Sequence, residues 1–311
     1  MSDDVDFLPA RDPLLRDAPL DYVIDLPVLG IETRFASNSR FVIGLVEEAF
    51  GGWRIIRDAE YERTSRPAVA NVRIVVFDAP RDVVQHVAPD AARVMAFSSG
   101  SVGLSDPDRG ESVIYATRAV VADRERFRTN MLEAMTMALL SAFDRHPVHA
   151  AAIARDGRAL LLTGASGSGK STLAHLAHGA GFDVLSEDTA WIQLEPTLRV
   201  WGSPGYARLL TGDADDKSRI PLANTSRAAC YVARSAAVCL LERADSAGLE
   251  RASTVDILAA LMKSVAPGFD RFPERHENAA SRLAENGGWR LTLSPNPADA
   301  LPLLRRMLAE D

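Results

Sequence analysis

The octapeptide GASGSGKS, residues 164–171, constrains the fold of this chain more than any other segment. It satisfies the pattern G-x-x-x-x-G-K-[ST] in full, and a chain of this composition should match that pattern by chance in roughly one case in a thousand. Glycines let the backbone approach an anion closely, and successive N–H groups at a helix N-terminus then face that anion. The octapeptide therefore predicts a phosphate-binding loop between a strand and a helix.

The residues on either side fit this prediction. The apolar run Leu160–Leu162 precedes the loop, and Leu173 and Leu176 follow it with helical spacing. Lys170 is one of only three lysines in the chain; it would place a point charge on the β- and γ-phosphates, and the Ser171 hydroxyl would bind Mg²⁺. The expected nucleotide-binding residues are Gly164, Ala165, Ser166, Gly167, Ser168, Gly169, Lys170, Ser171 and Thr172.

A dinucleotide site is the alternative reading of the same glycines. Glu187 and Asp188 lie where a ribose-binding acid would be expected. The spacing is G-x-x-G-x-G rather than G-x-G-x-x-G, and a dinucleotide loop has no use for Lys170 followed by Ser171. The residues therefore favour a nucleoside triphosphate.

Two carboxylates follow the next predicted strand, 182–185. Glu187 and Asp188 could bind Mg²⁺ or take the proton from an attacking hydroxyl, and two neighbouring acids could divide these tasks. His149 precedes the strands that lead into the loop and lies close to His146. Two histidines without a third ligand are weak evidence for a metal site.

Composition excludes several classes of function. The 311 residues are 47% apolar and 25% charged with a net charge of −7 and no basic block, so a nucleic-acid partner is not expected. No apolar run reaches the roughly 18 residues needed to cross a bilayer, and the acidic, proline-rich start is not a signal peptide. We therefore expect a cytoplasmic protein in which Cys230 and Cys239 are buried thiols.

Hydrophobic patterning predicts a mixed α/β protein with a flexible arm (1–22), an N-terminal α+β module (23–122) and a catalytic domain (123–311). Asn38 is expected to cap the first helix, and a long helix is expected over 123–144. Further predicted strands are 28–35, 72–77, 94–97, 112–115, 150–154, 159–163, 191–194, 199–201 and 237–241, and further helices are 170–178, 253–264 and 298–308.

The segment from His149 through the loop to Asp188 resembles the catalytic domain of HPr kinase/phosphorylase. The shared features are a histidine at this distance before the loop, the sequence GASGSGKST, and a strand that ends in an acidic pair at Gly181–Asp188. The clear resemblance covers about residues 146–195. It implies a P-loop kinase core related to that of ATP-dependent PEP carboxykinase, with ATP and Mg²⁺ as cofactors.

Carried over residue by residue, the resemblance implies that Gly164, Gly169, Lys170 and Ser171 bind Mg-ATP. Glu187 falls where the family has an aspartate proposed as the base, Asp188 falls on the second acid, and His149 falls on a histidine lining the same site. Two features differ from the family. Glutamate replaces aspartate at 187, and Arg199–Arg208 stands in place of the E-x-R-G-L-G-type segment linked to phosphorylase chemistry.

The leading hypothesis is an ATP- and Mg²⁺-dependent serine kinase that phosphorylates a hydroxyl of a peptide, protein or small molecule. HPr-kinase-like proteins without the phosphorylase signature include kinases found with ribosomally made peptide pathways, some of which modify a peptide's terminal serine, and others that are suspected of acting on small molecules. The segment 26–53 resembles the front of such divergent members. Arg208, Lys217 and Arg219 are further candidates for a phosphate clamp. A non-catalytic ATP sensor and a PEP-carboxykinase-like enzyme remain as alternatives, and a homo-oligomer is compatible with the sequence.

Overall fold

The computed structural model describes residues 18–54, 70–77, 94–98, 100–106, 109–202, 206–210, 217–221, 232–263 and 273–309. The chain divides into two compact units, Met1–Phe143 and Asp144–Asp311. Both combine helices and strands, so the protein is mixed α/β. Within the described residues, no helix is long and apolar enough to cross a membrane.

In chain order, the described elements of the first unit are β1 (Tyr22–Val28), β2 (Ile31–Ser37), α1 (Arg40–Phe50), a 3₁₀ turn (Gly51–Arg54), β3 (Ala70–Phe77), β4 (Val94–Ser98), β5 (Ser101–Asp106), β6 (Glu111–Thr117), α2 (Arg118–Ala122), α3 (Arg124–Phe127), a π-helical segment (Arg128–Glu133) and α4 (Ala134–Leu140). The strands form a mixed sheet with the order β1-β2-β3-β6-β5-β4. The β2–β3 and β3–β6 pairs are parallel, and the other pairs are antiparallel.

Residues 28–35, predicted as one strand, instead contain the end of β1, a turn and the start of β2. Leu29 and Gly30 both have positive φ, and the Gly30 amide donates to the Pro27 carbonyl at 3.0 Å. A two-residue turn of this handedness matches the twist of the flanking strands. The apolar residues that predicted one strand therefore lie on two antiparallel strands, β1 and β2.

Asn38 does not cap α1, contrary to the sequence prediction. Ser39 is the N-cap residue, and its side chain makes no capping hydrogen bond. The Asn38 amide instead pairs with the backbone of Val76, donating to its carbonyl at 2.9 Å and accepting from its N–H at 2.8 Å. Asn38 therefore hydrogen-bonds to Val76, which is distant in the sequence, instead of capping the N-terminus of α1.

The helical segment after β6 is less regular than the sequence predicts, because a π-helical segment separates α3 from α4. The Ser105 hydroxyl donates to the Met135 carbonyl, and a Cβ added to Gly103 would lie 2.6 Å from Met135 Cγ. These contacts pack the helical segment against β5 within the compact unit Met1–Phe143.

The second unit contains the glycine-rich loop of residues 164–169. In chain order its described elements are β7 (His146–His149), β8 (Ala151–Arg155), β9 (Arg158–Thr163), α5 (Lys170–Gly179), β10 (Asp183–Ser186), β11 (Thr189–Gln193), β12 (Arg199–Trp201), β13 (Tyr206–Leu210), β14 (Lys217–Pro221), β15 (Val232–Ala233), β16 (Ser235–Arg243), β17 (Gly248–Ala252), α6 (Thr254–Lys263), α7 (Pro273–Ala284), β18 (Gly288–Leu293), a 3₁₀ turn (Pro297–Ala300) and α8 (Leu301–Ala309).

The main sheet of this unit has the order β10-β8-β9-β16-β18-β17. β16 runs parallel to both β9 and β18, whereas β8 is antiparallel to β9 and to β10. β10 therefore points the same way as β9. The carboxyl ends of β9, β10, β16 and β18 consequently meet at one edge of the sheet, which is where open α/β sheets bind ligands.

Alternating apolar side chains cover both faces of this sheet. Leu160 and Leu162 of β9 pack with α5 and α8, whereas Leu161 faces the opposite way and packs with α6, α7 and a second sheet, β15-β12-β11-β7. This is the period-two alternation of a strand buried on both faces. Cys239 of β16 lies in the same core, and burial raises the pKa of its thiol; Cys230 lies outside the described residues.

The sequence predicts α6 and its cap correctly. The Asp256 amide donates to the Ser253 hydroxyl at 3.2 Å, as in a capping box. The strands β17 and β18 and the helix α7 were not predicted. α7 is polar along most of its length and buries mainly alanines, so its sequence carries little of the apolar periodicity that identifies a helix.

Candidate functional site

The glycine-rich loop, residues 164–169, connects β9 to α5, which is the strand–loop–helix context that the sequence predicts. Gly164, Gly167 and Gly169 adopt φ angles of 156°, 78° and 106°. A Cβ at Gly164 would lie 2.7 Å from the Leu241 carbonyl, and one at Gly169 would lie 2.9 Å from a methyl carbon of Leu293. The loop is therefore pressed against the ends of β16 and β18, and side chains at these two positions would not fit.

Lys170, the first residue of α5, lies folded back over the loop. Its Nζ donates to the Gly164 carbonyl at 2.8 Å and to the Ala165 carbonyl at 3.2 Å, and the residue is only 9% exposed. Both acceptors are neutral backbone oxygens. A phosphate oxygen would be a stronger acceptor for an ammonium group, because hydrogen bonds between two ionised groups are about twice as strong as neutral ones.

Ser168 provides an unsatisfied polar group inside the loop. Its hydroxyl is buried and has no hydrogen-bond partner among the described residues, although its amide donates to the Ala165 carbonyl at 3.1 Å. Buried hydroxyls are normally hydrogen-bonded, so an orphan of this kind needs an explanation. Ser171 and Thr172 follow in the first turn of α5, half-buried and exposed respectively.

The acidic pair lies in a tight turn after β10. The Ser186 hydroxyl donates to the Thr189 carbonyl at 2.6 Å and accepts from the Asp188 amide at 3.3 Å. Glu187 is half-buried and Asp188 is exposed. A Cβ at Gly202 would lie 1.9 Å from the Leu185 carbonyl, so only glycine permits the approach of the chain that follows β12 to the end of β10.

His149 lies beside Asp188. His149 is the last residue of β7 and lies opposite Thr189, the first residue of the antiparallel strand β11, and Asp188 directly precedes Thr189. His149 Nδ1 is 3.4 Å from Asp188 Oδ1, and both side chains are substantially exposed, by 41% and 63%. The structure thus places His149 beside Asp188, the histidine and the second acid that the family resemblance assigns to one site.

The loop and the acidic pair share one edge of the main sheet. β10 is separated from β9 by β8, and neighbouring strands lie about 4.8 Å apart, so the ends of β9 and β10 are about 10 Å apart. Within the described residues, no group of three or more His, Cys, Asp or Glu side chains forms a preassembled metal cage.

His146 has a structural role instead of a place beside His149 in a metal site. It is 4% exposed, and its Nε2 lies 2.7 Å from Asp144 Oδ1. The other carboxylate oxygen accepts the amides of Leu194 and Glu195 at 2.9 and 2.8 Å. Burial alone would raise the pKa of Asp144, but the hydrogen bonds from His146 and these two amides outweigh burial and hold the pKa below its usual value.

Arg243 is a residue of this site that the sequence reasoning missed. It is the last residue of β16, and its Nε donates to the Gly167 carbonyl at 3.1 Å. No local sequence signal marks it, because only the β9–β16 pairing brings it to the loop. Arg208, Lys217 and Arg219 lie on the β13–β14 hairpin, and their side chains are outside the described part of the structure.

Comparisons with known proteins identify no family for this chain. No protein-family model matches the sequence. No curated protein matches it either. One solved structure that is similar is that of the Hpr(Ser) kinase/phosphatase from Coxiella burnetii, at 17% identity over 53% of this chain and 93% of the other. The TM-score of that match is 0.31, which is too low to assign a fold or a function.

Proposed function

We propose that the unit Asp144–Asp311 binds ATP at residues 164–172 and transfers the γ-phosphoryl group to a hydroxyl of a peptide, protein or small molecule. The observation that carries the proposal is the juxtaposition of a glycine-rich loop and a buried lysine with two carboxylates at the same edge of the sheet. Phosphoryl transfer depends mainly on positioning and on stabilising negative charge.

The loop has the features of a phosphate cradle. Its glycines exclude side chains, its lysine donates to the carbonyls of Gly164 and Ala165, and the buried Ser168 hydroxyl has no hydrogen-bond partner among the described residues. Lys170 would exchange the carbonyls of Gly164 and Ala165 for phosphate oxygens. The amides at the start of α5 and its helix dipole would add further favourable interactions with the anion.

Ser171 and one residue of the acidic pair would hold Mg²⁺. Hydroxyl and carboxylate oxygens are the ligands that Mg²⁺ prefers, and it commonly retains several waters beside one or two carboxylates and the substrate phosphates. This coordination preference fits a site in which the protein supplies only one or two of the Mg²⁺ ligands. When bound, Mg²⁺ would neutralise charge on the β- and γ-phosphate oxygens.

The other carboxylate would accept the proton from the attacking hydroxyl. Asp188 is exposed toward solvent and lies within 3.4 Å of His149, so an acceptor that reaches one of these side chains also reaches the other. His149 would orient the acceptor or the carboxylate through a hydrogen bond. Proton transfer by a positioned group typically contributes about 10²–10⁴-fold to the rate.

The experiment that tests the proposal uses γ-labelled ATP, Mg²⁺ and an extract of the source cells, with wild-type protein, Lys170→Met and Lys263→Met. Methionine preserves most of the volume of the buried lysine stem, and Lys263 is an exposed lysine at the end of α6. We expect label on an acceptor with wild type and Lys263→Met, and a loss of about 10²-fold or more with Lys170→Met.

The other possible outcomes would contradict the proposed site or favour an alternative function. Label that persists with Lys170→Met would contradict the site assignment. ATP binding without transfer to any acceptor would indicate the non-catalytic sensor, and a small carboxylic acid as the acceptor would indicate the PEP-carboxykinase-like alternative. Label on a polypeptide, as opposed to a metabolite, would define the class of acceptor.

A further inference from the structure

Arg243 lies beside the phosphate-binding loop on the side opposite the acidic pair. The last residue pair between β16 and β9 is Leu240 with Thr163, so Arg243 extends beyond the carboxyl end of β9. Besides the bond from its Nε to the Gly167 carbonyl, its Nη2 lies 3.6 Å from the position that a Cβ on Gly169 would occupy. The guanidinium therefore rests on the loop between two of its glycines.

Arg243 has no acidic partner in the part of the chain that the structure describes. Its Nη groups donate to no described atom, and the side chain is exposed. Arg290, on the neighbouring strand β18, is different: its guanidinium lies within 4 Å of three carboxylates, those of Glu242, Glu250 and Asp256. Arg243 thus presents two donor groups to an incoming anion.

The strand order fixes the side of the loop on which Arg243 acts. β10, which carries the acidic pair, lies two positions from β9 in one direction, and β16 lies next to β9 in the other. Under the proposed function the acceptor hydroxyl is activated at the acidic pair, so the γ-phosphate would lie on that side of the loop. The α-phosphate and the nucleoside would then extend toward β16.

We infer that Arg243 binds the non-transferred phosphates of the nucleotide, fixing the end of the triphosphate remote from the acceptor. The Nε bond to Gly167 orients the guanidinium, and the Nη groups donate to oxygens of the α- and β-phosphates. Arginine suits this task because its planar fork of donors matches phosphate oxygens. The inference rests on the proposed function and adds a residue that determines nucleotide affinity.

The test measures ADP and ATP affinity by titration calorimetry in Mg²⁺ for wild type, Arg243→Gln, Arg305→Gln and Lys170→Met. Glutamine keeps an amide donor for the Gly167 carbonyl but removes the positive charge. Arg305 is a matched control, because it is exposed and also donates to a backbone carbonyl, that of Ala180 at 3.5 Å. We expect Arg243→Gln to weaken ADP and ATP binding alike, by about tenfold each.

Phosphotransfer kinetics of the same variants complete the test. We expect KM for ATP to rise in Arg243→Gln while kcat stays within about twofold, since the interaction is the same before and during transfer. Wild-type affinity in Arg243→Gln would overturn the inference and leave Arg243 as a support of the loop. A large fall in kcat with unchanged ADP affinity would also overturn it, because the arginine would then act on the transferred group.

The two proposals can fail separately. If wild type binds nucleotide but transfers nothing, the kinase proposal is wrong, and the ADP and ATP affinities still decide the role of Arg243. If wild type binds neither nucleotide and behaves like Lys170→Met, both proposals are wrong. An unchanged melting temperature of nucleotide-free Arg243→Gln, relative to wild type, would show that its weaker nucleotide binding does not result from unfolding.

Discussion

At the scale of single residues, the acidic pair offers two carboxylates of different exposure for two chemical tasks. Glu187 is half-buried, whereas Asp188 is exposed and lies beside His149. Loss of a carboxylate that binds Mg²⁺ weakens metal binding, so a higher Mg²⁺ concentration restores part of the activity. Loss of a carboxylate that accepts the proton is not restored by added Mg²⁺. The conservative variants Glu187→Gln and Asp188→Asn should therefore fail in different ways.

We predict that one of these two variants loses kcat by about 10²–10⁴-fold at every Mg²⁺ concentration, and that the other recovers activity as Mg²⁺ is raised. The measurement is kcat as a function of Mg²⁺ concentration for both variants, with Asp183→Asn as a control from the start of β10. Full activity in both variants would contradict the assignment of the pair to the active site.

At the scale of an element, the Asp144 carboxylate binds the turn after β11. Asp144 accepts the amides of Leu194 and Glu195 and contacts His146, and its own backbone has a φ of 54°. Because the folded-state pKa of Asp144 is depressed, its ionised form stabilises the fold. That contribution is fully present above the unfolded-state pKa of about 4 and is lost as the pH falls through the folded-state pKa.

We predict that Asp144→Asn lowers the free energy of unfolding at pH 7 and flattens its decline below about pH 4. Asparagine tolerates the same left-handed backbone, so the variant removes the charge without adding backbone strain. The measurement is denaturant unfolding of both proteins from pH 7 to pH 3. An equal dependence on pH in the two proteins would show that Asp144 is not the group responsible.

At the scale of the whole molecule, the chain forms two compact units, and no described sheet contains strands from both. A ligand that binds only the folded form of one unit stabilises it by an amount set by its concentration, about 2.7 kcal/mol at one hundred times Kd. The proposed nucleotide site lies wholly within Asp144–Asp311. Stabilisation by nucleotide should therefore begin in that unit.

We predict that Mg-ATP slows amide hydrogen exchange in β9, the loop and α5, and that Lys170→Met abolishes the effect. The measurement is hydrogen exchange followed by mass spectrometry, with and without nucleotide. Protection confined to residues 21–140 would contradict the proposed location of the site.

Much of the second unit was predictable because its signals are local. The run Leu160–Leu162, the glycines of the loop and the Ser253–Asp256 cap each specify structure through neighbours in sequence. The first unit was less predictable. The Asn38 amide satisfies Val76 on β3 instead of capping α1, and the packing of Met135 on Gly103 holds the helical segment on β5. These contacts join residues far apart in the chain, and no sequence window contains both partners.

The sequence alone determined the strand–loop–helix segment around residues 164–171, because the glycines, the lysine and the hydroxyls of the loop are contiguous and their backbone geometry is local. Only the tertiary structure decided what surrounds the loop. The β7–β11 pairing places His149 beside Asp188, and the β9–β16 pairing places Arg243 on Gly167. Strand order is set by long-range burial of both faces of the sheet, and neither periodicity nor composition encodes which strands become neighbours.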